Sequence, residues 1–167
     1  MRRTLAILLA ACALPCAAAD FRAFDASSPA MIRAEQAGKP FVLAFWSVTC
    51  EPCRDEMPLW KAMRKKYPRL PIVLVAADPP ADHAAATRFL KQYDPGSVQR
   101  WAFADDFAER VRYSVDKGWR GELPLTYFYD ARHRGEARSG VLDKGEVEAW
   151  FAGHAAARRT STAKEAK

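Results

Sequence analysis

The sequence predicts an α/β sandwich built on a mixed β-sheet. Two continuous apolar runs, Phe41–Trp46 and Pro71–Ala76, are typical of central parallel strands that are covered on both faces. Helical and extended patterns alternate along the chain and end in a hairpin followed by a helix, which is the order of an α/β domain. Half of the 167 residues are apolar, so one domain can bury a proper core.

The first half of the chain is predicted to form two helices around the first apolar run. Ser28-Pro29 begins a short helical pattern that Gly38 and Pro40 end, and the strand Phe41–Trp46 follows. The next helix begins near Cys50 and continues with apolar residues at helical spacing. Its interior proline, Pro58, predicts a kink, and Pro68 predicts its end.

After the strand Pro71–Ala76, the pattern predicts a helix, a strand and a second helix. Asp82 is expected to cap a helix that runs to Tyr93, where Asp94-Pro95-Gly96 ends it. The strand is expected at Arg100–Ala104 and the second helix at Phe107–Val115.

The last elements are predicted to be a hairpin and a helix. Leu125–Tyr129 is rich in β-formers, Asp130–Gly135 supplies a turn, and Ala137–Leu142 is the expected partner strand. Val147–Phe151 has the apolar face of a final helix. Residues 155–167 are Ala-rich and charged without apolar periodicity, so we expect a disordered, solvated tail there.

The N-terminus resembles a secretory signal peptide. Met1-Arg2-Arg3 is followed by an apolar run, Leu5–Leu14, that is too short to span a bilayer, and then by three alanines. Cleavage after Ala19 would leave residues 20–154 as the folded domain and a soluble periplasmic protein. The alternative is a lipoprotein anchored through Cys12, because Leu9-Ala10-Ala11-Cys12 also matches the lipoprotein pattern.

The charge pattern does not suggest binding to nucleic acid. The formal net charge is +6 and falls to +4 when Arg2 and Arg3 are removed with the signal peptide. The remaining lysines and arginines are scattered among acidic residues and form no stripe with aromatic side chains.

The strongest functional signal is the pair Cys50 and Cys53, which follows the apolar run Phe41–Trp46. A helix that begins at or just after Cys50 places this sulfur among unpaired backbone N–H groups at the positive end of the helix dipole, which favours the nucleophilic thiolate. Cys53 lies about one turn further in, within reach of Cys50 and shielded from bulk substrate. Pro52 suits the first turn of such a helix. We predict that Cys50 attacks and Cys53 resolves.

Two other interpretations of the pair are weaker. A Cys-x-x-Cys can be half of a zinc site, but the mature chain is expected to contain no second pair, and its three histidines show no ligand-like spacing. A purely structural disulfide is the other, yet so small a loop constrains the unfolded chain little. We therefore expect no metal and no other cofactor.

Two stretches of the sequence resemble the TlpA/ResA-like branch of the thioredoxin superfamily. They are Phe45–Pro58, with the string C-E-P-C-x-x-E-x-P, and Gly121–Phe128. The resemblance spans residues 40–152, and the segment between Ala77 and Asp105 is similar to the strand–helix insert of this branch. It implies a thioredoxin-like sandwich whose central mixed β-sheet is flanked by helices. It also implies an extracytoplasmic thiol:disulfide oxidoreductase, usually a reductant, whose tasks include cytochrome c maturation and copper-site assembly.

The resemblance assigns roles to three further residues. Pro124 matches a proline that follows a cis peptide bond and lies against the cysteines, where the backbone of Leu123 can pair with an extended substrate. Glu56 matches an acidic residue near the active site; if partly buried, it can carry protons and hold the thiol pKa values up, and otherwise it is a solvated helix acid like Asp55. Trp46 is expected to pack beside the active site, with an ordinary core tryptophan as the alternative.

The sequence also departs from the pattern of this branch at several positions. Thr49 stands before the first cysteine, where tryptophan is common, so an apolar docking surface is missing. Ala44 replaces the buried aspartate of thioredoxin, which leaves Glu56 as the nearby substitute for proton transfer. Glu122-Leu123 is a less typical pair before the proline. These differences concern the choice of substrate rather than the fold.

The leading functional hypothesis is a periplasmic reductase of protein disulfides, with a membrane electron donor to supply reducing equivalents. Glu51 adds negative charge near Cys50, which opposes strong thiolate stabilisation and favours the reducing direction. The alternatives are a disulfide-forming oxidase, which runs the same steps backwards, and a Cu(I)-binding module. The missing Met or His ligand near the pair argues against copper.

Overall fold

The computed structural model describes residues 21–165, with side chains described through Ala156. The expectations for residues 1–19, including signal cleavage after Ala19 and lipidation of Cys12, lie outside the described residues. No helix within the described range is long and apolar enough to cross a membrane.

The structure contains alternating strands and helices in the predicted order. The strands are β1 Arg22–Phe24, β2 Phe41–Trp46, β3 Ile72–Ala76, β4 Gln99–Phe103, β5 Leu125–Tyr129 and β6 Gly135–Ser139. The helices are α1 Ser28–Glu35, α2 Glu51–Lys66, α3 His83–Tyr93, α4 Ala108–Val115 and α5 Lys144–Glu165, with a 3-10 turn at Pro80–Asp82 before α3.

These strands form one mixed sheet in the order β1-β4-β3-β2-β5-β6. The pairs β1/β4, β4/β3 and β3/β2 are parallel, whereas β2/β5 and β5/β6 are antiparallel. The predicted fold class, an α/β sandwich with a central mixed sheet flanked by helices, is confirmed. The segment between Ala77 and Asp105 contains α3 and β4, and thus supplies the expected insert.

The sheet is covered by helices on both faces. Alternate side chains of β2 point to opposite faces, as the pleat of a strand requires. Trp46 lies in the core shared with α2, α3 and α5, where Trp60, Leu90 and Phe151 are also buried. Phe45 lies in the other core, together with the buried side chains of α1 and α4. Continuous apolar runs in β2 and β3 follow from this coverage of both faces.

The structure differs from the prediction at the C-terminus. α5 continues to Glu165, whereas residues 155–167 were expected to form a disordered tail, so that expectation is wrong for the described part. The segment after Ala155 contains alanine, arginine, lysine and glutamate, which are good helix formers, and is interrupted only by Thr160-Ser161-Thr162. Because adding a residue to an existing helix costs much less than starting one, such a segment can extend α5 without an apolar face of its own.

Smaller differences concern two strands and one cap. The three-residue strand β1 was not predicted, and β6 begins at Gly135 rather than at Ala137. Gly135 faces the ring of Tyr129, where an added Cβ would lie 2.5 Å from a ring carbon, so only glycine fits there without a shift. Asp82 occupies the N-cap position of α3 as expected, but its side chain makes no capping hydrogen bond.

Candidate active site

The start of α2 places the two cysteines as the sequence predicts. Cys50 is the N-cap residue, with an extended backbone, and its sulfur accepts a hydrogen bond from the backbone N–H of Cys53 at 3.3 Å. Pro52 lies in the first turn, where its missing N–H costs nothing. The Cys50 sulfur therefore lies at the positive end of the helix, in a position that stabilises a thiolate.

The two sulfurs form a disulfide, and their residues differ in exposure. Cα atoms of Cys50 and Cys53 are 5.3 Å apart. Cys50 is half-buried, whereas Cys53 is 1% exposed and lies within the core that contains Trp46. Only the first sulfur of the pair is thus open to a large partner.

A groove of about 420 Å³ lies beside Cys50, between the start of α2 and one side of α3. Exposed Thr49 forms part of its wall, and Phe89 and Tyr93 supply aromatic surface, with ring centroids 4.7 Å apart. Arg54 and Arg88 bring positive charge to the same groove. The aromatic surface that a tryptophan at position 49 would provide thus comes instead from α3.

Trp46 is a buried residue on the same side of the sheet as the cysteines. It is 2% exposed, and its ring stacks on Phe89 at a centroid distance of 4.7 Å. Because Phe89 lines the groove, Trp46 supports the groove wall from behind. Its indole nitrogen has no hydrogen-bond partner among the described residues. Whether Trp46 affects the dithiol beyond this packing stays a prediction.

Pro124 is buried and follows a cis peptide bond with Leu123, the geometry that the family pattern implies. The carbonyl oxygen of Pro124 accepts a hydrogen bond at 2.9 Å from the N–H of Gly140, the residue that follows β6. Leu123 and Cys50 both pack against the core that contains Trp46.

Glu56 is a buried carboxylate on α2, three residues after Cys53. It is 5% exposed and accepts one hydrogen bond, from the backbone N–H of Leu142 at 3.0 Å. Burial raises the pKa of Glu56 to about 7, although the hydrogen bond from Leu142 acts in the opposite direction. A cavity of about 310 Å³ is lined in part by Glu56. Asp55, by contrast, has a mostly exposed side chain that pairs with Arg54.

A second buried carboxylate, Asp78, was missed by the sequence analysis. It is 4% exposed and lies just after β3, where its oxygens accept hydrogen bonds from Ser47 and Val48. These residues immediately precede Thr49 and Cys50. The only signal in the sequence is an aspartate after an apolar strand, which becomes informative once the pairing of β2 with β3 is known.

The described residues contain no cluster of three or more His, Cys, Asp or Glu side chains that could hold a metal ion. Ala44, at the position of thioredoxin's buried aspartate, is 3% exposed and shares a core with Cys53. Glu56 and Asp78 are therefore the buried carboxylates of the described chain.

Comparison with known proteins identifies relatives of two kinds. The thiol-disulfide oxidoreductase ResA of Bacillus cereus is 32% identical over 95 residues, which cover 56% of this chain and 50% of that protein. The thioredoxin-like protein YneN of Bacillus subtilis is 36% identical over 119 residues, or 66% of this chain and 62% of the other. The chain spans about half the length of the curated ResA proteins it matches. No protein-family profile matches the chain.

Solved structures support the same fold. A secreted Mycobacterium tuberculosis disulfide oxidoreductase, homologous to E. coli DsbE, has a TM-score of 0.59 at 24% identity, covering 72% of this chain and 85% of the other. A putative thiol:disulfide interchange protein DsbE from Chlorobium tepidum has a TM-score of 0.60 at 22% identity, with coverage of 73% and 84%. These relatives and this dithiol geometry confirm that the chain resembles the TlpA/ResA-like branch of the thioredoxin superfamily.

Proposed function

We propose that the chain is a thiol:disulfide oxidoreductase that reduces protein disulfides outside the cytoplasm. The observation that carries this proposal is the Cys50 sulfur at the N-cap of α2, half-buried beside a groove and bonded to the buried Cys53. Relatives named as thiol-disulfide oxidoreductases support the same activity.

The proposed reaction is two successive thiol–disulfide exchanges. The Cys50 thiolate attacks one sulfur of the partner's disulfide, forming a mixed disulfide and releasing the other partner sulfur as a thiolate. The Cys53 thiolate then attacks the Cys50 sulfur and releases the second partner sulfur. Two electrons pass to the partner, and the Cys50–Cys53 disulfide remains. A second dithiol protein, which we expect at the membrane, must reduce this disulfide before another turnover.

Glu56 supports the reducing direction better than Glu51 does. The side chain of Glu51 is exposed and pairs with Arg54 at 3.1 Å, so its charge is offset and screened by water. A buried carboxylate on the helix that carries both cysteines disfavours additional negative charge on sulfur. A thiolate that is less stable makes the dithiol form less favoured, and the couple is then more reducing.

The groove beside Cys50 is the proposed docking surface for the partner. Phe89 and Tyr93 offer apolar surface and Arg88 offers positive charge, whereas Arg54 is paired with Glu51 and Asp55. A segment with apolar side chains and an acidic side chain near its disulfide would fit this surface. Cytochrome c maturation and copper-site assembly remain the candidate tasks. The expected signal peptide and the alternative anchor at Cys12 would both place the chain outside the cytoplasm.

Trapping of the partner tests the proposal directly. The Cys53→Ala variant, expressed with its natural leader, should accumulate mixed disulfides through Cys50, and mass spectrometry identifies the proteins that stay attached. Cys50→Ala is the matched control and should retain far fewer. If Cys53→Ala retains no more protein than this control, Cys50 is not the attacking thiol.

The redox potential separates the reductase from the oxidase. We expect a value more negative than roughly −200 mV, measured by equilibration against a glutathione series. A value near roughly −120 mV would favour the disulfide-forming oxidase instead. Binding of Cu(I) by the reduced chain, tested by titration under anaerobic conditions, would favour the third hypothesis.

A further inference from the structure

The buried carboxylate of Asp78 lies beside the turn that leads into the dithiol because of how two parallel strands pair. Trp46 and Ala76 are partners at the ends of β2 and β3, and the N–H of Ala77 donates to the carbonyl oxygen of Trp46 at 2.8 Å. The segments that follow β2 and β3 therefore leave the sheet side by side. Asp78 and Val48, each two residues beyond this pair, meet at the edge of the sheet that carries the cysteines.

The carboxylate holds this turn through several hydrogen bonds. The hydroxyl of Ser47 donates to Oδ1 of Asp78 at 2.7 Å, and the N–H of Val48 lies 3.2 Å from both carboxylate oxygens. The carbonyl oxygen of Ser47 in turn accepts the N–H of Cys50 at 3.1 Å. One continuous hydrogen-bonded path thus connects Asp78 to the backbone of the first cysteine.

Thr49 completes the network. Since Ser47 uses its single hydroxyl proton on Asp78, the contact of 3.0 Å between the Ser47 and Thr49 hydroxyls requires Thr49 to donate. The N–H of Thr49 also donates to the Ser47 oxygen, at 3.2 Å. The hydroxyl of Ser47 is then fully used, with one bond donated and two accepted.

No ion pair among the side chains of residues 21–156 involves Asp78, and the groups that donate hydrogen bonds to it, Ser47 and Val48, are neutral. Burial holds the pKa of Asp78 above its ordinary value, although the hydrogen bonds from Ser47 and Val48 act in the opposite direction. Asp82, the acidic neighbour in the 3-10 turn, acts in the same direction as burial. Burying a carboxylate without a positive partner costs free energy. This cost is offset here because the carboxylate accepts hydrogen bonds from the Ser47 hydroxyl and the Val48 N–H, which would otherwise lack an acceptor.

We propose that Asp78 is a positioning residue of the dithiol: its carboxylate fixes the turn Ser47–Cys50 and thereby places the Cys50 sulfur at the N-terminus of α2. This inference rests on the proposed function, because it concerns the placement of the attacking sulfur. When the turn is fixed, the first backbone N–H groups of α2 point at the thiolate. When it is loose, the sulfur spends part of its time away from them, and the thiolate is less stable.

The experiment separates the hydrogen bonds of Asp78 from its charge. Asp78→Asn removes the charge and keeps an oxygen that accepts from Ser47 and Val48, whereas Asp78→Ala removes both. Ser47→Ala removes the hydroxyl that donates to Asp78 and leaves the carboxylate in place. Asp82→Ala is the control, because it removes a nearby acid whose side chain makes no capping hydrogen bond.

Two quantities are measured on the full reduced chain: the pKa of Cys50, from thiolate absorbance, and its exchange rate with a disulfide-bonded synthetic peptide. We expect Asp78→Ala to have a higher Cys50 pKa than Asp78→Asn and to exchange about three- to tenfold more slowly, as for the loss of one or two hydrogen bonds. Asp82→Ala should stay near wild type in both quantities. Asp78→Asn should keep an exchange rate near that of wild type, and its Cys50 pKa should be no higher than that of wild type, because a negative charge has been removed. Ser47→Ala should exchange at a rate between those of wild type and Asp78→Ala.

Equal Cys50 pKa values and equal exchange rates in Asp78→Ala and Asp78→Asn would overturn the proposal. If Asp78→Ala does not fold, Ser47→Ala decides, since unchanged values in that variant would equally overturn it. Failure of the wild-type chain to exchange with any disulfide peptide would instead refute the proposed function. The difference in Cys50 pKa between the variants would still report on the turn in that case.

Discussion

Glu56 and Asp78 are buried to almost the same degree, 5% and 4% exposed, yet their surroundings differ in the number of hydrogen-bond donors. Glu56 accepts a single hydrogen bond, from Leu142. Asp78 accepts bonds from Ser47 and from Val48, the latter close to both of its oxygens. Burial alone therefore does not decide what a carboxylate does. One with few donors is poised to take up a proton, whereas one with several holds backbone in place.

The largest expected effect concerns the titration of Glu56. Folding raises its pKa from 4.5 to about 7, so the folded state binds more protons between these values. With respect to this group, the free energy of unfolding is highest below pH 4.5 and falls as pH rises through about 7, by about 3 kcal/mol at most. Glu56→Gln should remove this dependence, as measured by urea unfolding of the oxidised chain at several pH values.

Asp55→Asn is the control for that titration, since it removes an exposed acid from the same helix. Only the Glu56 variant should gain stability relative to wild type as pH rises. Parallel pH profiles of wild type and Glu56→Gln would show that Glu56 titrates near its ordinary value.

The second effect is the contribution of the Asp78 hydrogen bonds to the free energy of unfolding. Asp78→Ala leaves the Ser47 hydroxyl and the Val48 N–H without their acceptor, and it should lower the free energy of unfolding by about 1–3 kcal/mol at neutral pH. Asp78→Asn should lose less than half of this, because the amide oxygen still accepts. Urea unfolding of the oxidised forms compares them, and equal losses would mean that the charge of Asp78 matters more than its hydrogen bonds.

The third effect links Glu56 to the sulfurs. Its negative charge disfavours a second charge nearby, so Glu56→Gln should lower the pKa of Cys50 or Cys53 by about 1 at most. Thiolate absorbance, followed during a pH titration of the reduced protein, reports both values. Curves that superimpose within error would show that Glu56 is electrostatically uncoupled from the dithiol.

The smallest effect is expected at Thr49. Its hydroxyl donates to Ser47, but the residue is exposed, and water can replace the lost contact. Thr49→Val should therefore change the free energy of unfolding by less than about 0.5 kcal/mol. If Thr49→Val lowered the free energy of unfolding as much as Asp78→Ala, the turn would depend on the exposed Thr49 hydroxyl as much as on the buried Asp78 carboxylate.

The parts of the fold that could be predicted are those with strong local signals. β2 and β3 are continuous apolar runs, and α2 begins at a cysteine followed by a proline in the first turn. β1 has only three residues, too few to show alternation. All residues of β6 are exposed, so no hydrophobic pattern marked its ends, and they are set by the turn after Tyr129 and by Gly140 at φ +86°.

The candidate site divides in the same way. Cys50, Cys53 and Glu56 lie on one helix, so their spacing in the sequence already places them together. Asp78 lies 28 residues beyond Cys50 and reaches the site only through the parallel pairing of β2 and β3. The family resemblance supplied Pro124, whose cis bond the structure contains, but not Asp78.

The pairing of Trp46 with Ala76 and of Phe45 with Leu125 brings three distant segments to one edge of the sheet. The surroundings of the dithiol therefore exist only after these long-range contacts have formed, which is slow relative to local steps. Cys50 and Cys53, only three residues apart, can meet in the unfolded chain. An unfolded chain can thus already be oxidised, but its cystine acquires selectivity for a partner only when folding is complete.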